Sequence, residues 1–228
     1  MNWGTRTLIG LVAAVSAATT APAVADSSKF ASETVAACQS AIDLVTVTDN
    51  LIKIGWTHAV PAELDDRAIK SFAASLLSEQ FGYGDVADPR IVRTWELALK
   101  NAAGTRNLVT FEGTEQKDRW FVKLQTGSVL RISTDEYNTY SQLRCLIALK
   151  DEDSPVTFER LLGGSGRDPA TLPPVYRLRS QSYESNGLKR VLNSAVLNTE
   201  RISTVSDIGI DVSSIFSTYV TKQAENSK

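Results

Sequence analysis

The chain has 228 residues, 43% hydrophobic and 22% charged, enough for one domain with a sizeable core or one domain with an elaborated half. Its 24 basic and 26 acidic side chains nearly balance, so the basic excess that marks nucleic-acid binding is lacking. One histidine and two cysteines leave too few ligands for an ordinary zinc site, and they confine any histidine-based nucleophile system to His58.

The first 25 residues have the three parts of an export signal. Arg6 and the amino terminus supply positive charge ahead of an apolar stretch, Leu8 to Ala18. Small residues follow and end Ala23-Val24-Ala25, the pattern a signal peptidase cleaves. Pro22 ends any helix before the cut. The apolar run is about half of the roughly 20 residues that a membrane-spanning helix needs, so the leader reads as removed rather than retained. The chain is expected to divide into a cleaved signal peptide at 1–25, one α+β domain at 26–221 and a frayed tail at 222–228. Without the single arginine of the leader, 23 basic residues face 26 acidic ones, a net charge of −3. No later segment is apolar enough to span a bilayer. The expected address of the soluble product is therefore the periplasm or the secreted space.

Apolar periodicity predicts a first helix from Ser28 to Val47, followed by a β-rich segment from Leu51 to Val60. A second helix is expected over Asp65–Gln80, with Ile69, Phe72, Ala73, Leu76 and Leu77 on one side, closed by Gly82 and Gly84. The third has the clearest boundaries: Asp88 as cap, Pro89 at the first helical position, a stripe of Val92, Trp95, Leu99 and Ala102, and Gly104 at the end. From Asn107 the period changes to two. Leu108–Glu112, Trp120–Gln125, Val129–Thr134 and Tyr140–Lys150 read as successive strands, with a tight turn at Thr126-Gly127. After a long connection, Val175–Ser182 and Leu188–Leu197 flank Ser185-Asn186-Gly187, a hairpin signal. Leu188–Leu197 also fits a helix, and the need of the turn for a partner favours strand. A last strand is expected over Val212–Val220. Helices first and a strand meander afterwards predict an α+β fold, with amphipathic helices on one face of a mainly antiparallel sheet.

Cys38 and Cys145 are the only cysteines, in a chain expected to meet an oxidising compartment. Val35, Cys38, Ile42 and Val45 fall on one helical face, and Leu143, Cys145, Ile147 and Leu149 on one strand face. Both thiols should point into the core. Their pairing is expected to pin helix to sheet. The wide separation in sequence argues against a redox pair.

Four further features invite chemistry. His58, between Trp56 and Pro61, reads as an ordinary surface or half-buried imidazole. Gly163-Gly164-Ser165-Gly166-Arg167 completes neither a phosphate cradle nor a nucleophile elbow and reads as a surface loop. Asp151-Glu152-Asp153 lacks the third oxygen side chain and the glycine of a calcium loop. Arg177 and Arg179 share a strand face, and Lys189 and Arg190 across the hairpin could extend it as an anion or partner surface. The wet side of a sheet is the ordinary reading of such residues.

These features favour a non-enzymatic exported module, without cofactor or metal, that binds another envelope or secreted protein. A carboxylate-dependent hydrolase with a cleft near the 151–174 loop is the second reading, and a periplasmic small-ligand carrier the third.

Overall fold

The computed structural model describes residues 24–77, 89–107, 117–150, 176–205 and 208–224. The expected leader up to residue 23, the strand expected at Leu108–Glu112 and the 151–174 connection lie outside them.

The single helix expected over Ser28–Val47 is two, α1 (Val24–Gln39) and α2 (Leu44–Lys53). Two short polar side chains cause the break. The Ser40 hydroxyl donates back to the Ala37 carbonyl at 2.7 Å, and Asp43 accepts from the Thr46 amide at 2.7 Å, capping a new helix. The break turns Val45 outward, and it is 59% exposed although the periodicity had aligned it with Cys38. Gly55, at φ +94°, then reverses the chain into a short strand, β1 (Thr57–Ala59). A 3-10 turn at Pro61–Glu63 leads to α3 (Asp66–Ser75), capped by Asp65. α4 (Pro89–Gly104) has the expected bounds, with its Asp88 cap outside the described residues.

Six further strands follow among the described residues: β2 (Asp118–Val122), β3 (Val129–Glu136), β4 (Tyr140–Leu149), β5 (Tyr176–Ser185), β6 (Leu188–Leu197) and β7 (Ser214–Gln223). Leu188–Leu197 is strand, as the turn required: Asn186 and Gly187 both have positive φ, +53° and +70°. A helix that periodicity did not anticipate, α5 (Thr199–Val205), joins β6 towards β7 and buries Ile202. All pairings are antiparallel, in the order β1-β2-β3-β4-β7-β6-β5. The last strand therefore lies centrally, where Ser214 to Thr218 are all buried. β7 continues past the expected tail boundary at 221, and Lys222 and Gln223 pair with Ser141 and Tyr140.

The fold is α+β, but the helices divide between both faces of the sheet instead of sharing one. Along β4, Leu143, Cys145, Ile147 and Leu149 pack with α1 and α2. Leu146 and Ala148, which point the opposite way, pack with α3 and α4. Two-sided burial follows from a strand that is apolar at both parities. Each large side chain fully buried there contributes on the order of 1.5–3 kcal/mol.

Cys38 and Cys145 form the disulfide, both fully buried, with Cα atoms 6.2 Å apart. It closes a separation of 107 residues, for which the chain-entropy description gives about 4–5 kcal/mol before strain and residual structure are subtracted. Replacing both cysteines with alanine should lower the free energy of unfolding by about 2–5 kcal/mol in urea titrations. A change under about 1 kcal/mol would contradict a stabilising role for the bond.

Candidate functional site

β1 forms one end of the sheet among the described residues, and an open groove of about 320 Å³ lies beside it. Three segments build its walls. Thr57, His58 and Ala59 come from β1, Glu63, Leu64 and Asp65 from the turn into α3, and Val122, Leu124 and Gly127 from the end of β2 and its hairpin. Leu64 and Val122 are buried, whereas Leu124 is 66% exposed, so the apolar lining reaches solvent.

Each wall has a local cause. Trp56, just before β1, is buried, and its indole N–H donates to Thr34 Oγ1 of α1 at 3.0 Å. The Phe30 ring of α1 lies 5.4 Å from the same indole. The turn is held from the far end of α4, where Arg106 donates to the Leu64 carbonyl through Nε (2.9 Å) and Nη2 (2.7 Å). The same Nη2 also reaches Asp66 at 2.8 Å. Gly127 adopts φ +82°, and a Cβ there would sit 3.2 Å from Arg67 Cβ. Only glycine suits both that backbone and that approach.

The polar groups in and around the groove have different freedoms. Asp65 accepts from the Ala68 amide at 2.8 Å and from Arg67 Nε at 3.3 Å. The Ala68 amide above all, with help from Arg67, holds this carboxyl below the usual aspartate range, although partial burial opposes the shift. Asp65 thus stays ionised and committed to the helix terminus. His58, the sole histidine, is exposed and sets its ring edge-on to Phe121, with centroids 5.6 Å apart. Glu63 is exposed and forms no ion pair among the described residues.

The hairpin cations proposed as one surface do not make one. Neighbours on a strand point to opposite faces, so Lys189 and Arg190 are divided by the sheet. Lys189 is exposed, opposite Glu184 in the register. Arg190 is only 7% exposed, and its Nε donates to the Gln39 carbonyl at the end of α1 at 2.8 Å. Its Nη1 donates to the Ser185 carbonyl and hydroxyl at 2.9 and 2.8 Å, and Tyr183 lies beneath the guanidinium. Arg190 is thus a tie between helix and hairpin, favourably placed at a helix C-terminus. Arg179 shares its strand face, half-buried, with no partner for Nη1 among the described residues. The backbone of Arg177 pairs with Val196. Asp151-Glu152-Asp153 and Gly163 to Arg167 lie outside the described residues, as does the cleft expected near 151–174. No group of three or more metal-ligating side chains converges among the described residues.

Two measurements follow from these placements. Arg190→Ala should destabilise by roughly 2–3 kcal/mol because charge-assisted bonds to the buried Gln39 carbonyl and to Ser185 are lost, whereas Lys189→Ala should stay within about 0.5 kcal/mol. Equal effects in parallel urea melts would refute the division of the two residues. The lowered titration of Asp65 makes its contribution complete above about pH 4 and lost progressively as pH falls through its folded value. In thermal melts across the acid range, Asp65→Asn should flatten part of the decline in Tm, leaving the part due to Asp43, which the Thr46 amide also holds low. An unchanged slope would contradict the assignment. No family model, curated protein or solved structure matches the chain.

Proposed function

We propose that the chain is an exported, non-enzymatic module that binds another envelope or secreted protein, and that it docks its partner at the groove beside β1. The observation that carries this reading is the groove itself: open to solvent, apolar at its base, and edged by a leucine that is 66% exposed. An apolar surface of this kind beside polar rim groups suits a protein partner.

Export is supported by the leader pattern and is compatible with the Cys38–Cys145 bond, because disulfides persist in oxidising compartments. No helix among the described residues is long and apolar enough to cross a membrane.

Affinity capture from the native envelope fraction and medium, with crosslinking and peptide mapping, tests the proposal. A partner should crosslink near residues 57–65 or 122–127, and Leu124→Glu should abolish that crosslink while leaving the fold intact. Crosslinks that map elsewhere, or that survive Leu124→Glu, would contradict docking at the groove.

A further inference from the structure

The groove's relation to the sheet edge specifies how a partner would bind. Thr57 pairs with Val122 and Ala59 with Trp120, so both residues point to the face covered by α3 and α4, where the groove opens. His58 pairs with Phe121 and sets its ring against that residue on the opposite face. β1 is paired with β2 on one side and, among the described residues, with no strand on the other.

An extended segment laid along that edge would place alternate side chains in the groove and the intervening ones beside His58, by the period-two geometry of strands. A volume of about 320 Å³ is at the low end for small-molecule sites, on the order of 300–1,000 Å³, and suits one or two side chains. Leu64, Val122, Ala59 and Leu124 make that space apolar, so the inserted residue should be aliphatic or aromatic.

The rim favours a cation next to it. Arg67 already occupies Asp65, but Glu63 has no cationic partner among the described residues. Lys123 is turned onto the Phe30 ring, 4.2 Å from its centroid, and that ring belongs to the cluster on the other face of the sheet.

We infer that the groove recognises an extended polypeptide segment of its partner by strand addition to β1, with an apolar side chain inserted and a lysine or arginine two residues away meeting Glu63. The inference rests on the binding proposal and supplies its chemistry: main-chain pairing gives affinity, and the pocket for alternate side chains gives selectivity.

The test uses the full oxidised protein on a positional-scanning array of end-blocked, seven-residue synthetic peptides. The array should select an apolar residue with Lys or Arg two positions away. N-methylation of the peptide amides facing β1 should weaken the best binder by about tenfold or more, the equivalent of one or two lost hydrogen bonds. Glu63→Lys, on an exposed side chain that leaves the fold unchanged by circular dichroism, should invert the preference from Lys to Glu in the peptide. No selected peptide, a selected acidic residue, or equal binding of the N-methylated peptide would each overturn strand addition. Docking at the groove is judged separately by the Leu124→Glu crosslinking, so the two proposals can fail independently.

Discussion

The Cys38–Cys145 bond joins the last turn of α1 to the middle of β4, and much of the arrangement at the far end of the sheet follows from that join. With α1 pinned, Thr34 and Phe30 are held where they receive the Trp56 indole. Trp56 is the residue from which β1 departs, and β1 supplies one wall of the groove. Arg190 ties the same C-terminal end of α1, at Gln39 beside Cys38, to the β5–β6 hairpin. A single helix thus reaches from Trp56 before β1 to the β5–β6 hairpin, and the covalent bond fixes it at its C-terminal end.

Helices on both faces explain the character of the central strands. β4 and β7 cannot alternate simply between apolar and polar, because neither of their faces is open along the covered stretch. Leu146 and Ala148 meet α3 and α4 while Cys145 and Ile147 meet α1 and α2. The margins are different. β5 is polar along much of its length, and β1, which ends the sheet among the described residues, is only three residues long, a common way of limiting an edge. That short edge stands beside an apolar groove, which is where recognition is proposed.

The parts of the fold legible in the sequence are those that depend on local chemistry. Asn186-Gly187 required a hairpin, and Pro89 marked a helix start, because caps and turns are set by a few neighbouring residues. The disulfide was legible from two neighbourhoods that each buried a thiol. The break at Ser40–Asp43 was not, since an apolar period continues across it and only the hydrogen bonds of Ser40 and Asp43 reveal the stop. The second helical layer had an available signal in the apolar character of both parities of Leu143–Leu149. The groove had none: its lining comes from segments more than fifty residues apart, brought together by β1–β2 pairing. Lys189 and Arg190 were grouped by sequence adjacency, although strand geometry divides them.

Structure and proposed function meet in one chain of contacts, from the disulfide through α1 and Trp56 to the edge strand. Hydrogen exchange on the oxidised and reduced protein tests that chain most directly. Reduction should release protection across α1 and, with it, the backbone of residues 56–59, while the β3, β4 and β7 ladder stays protected. Unchanged protection at 56–59 after α1 has opened would contradict the dependence of the groove on the disulfide-held helix.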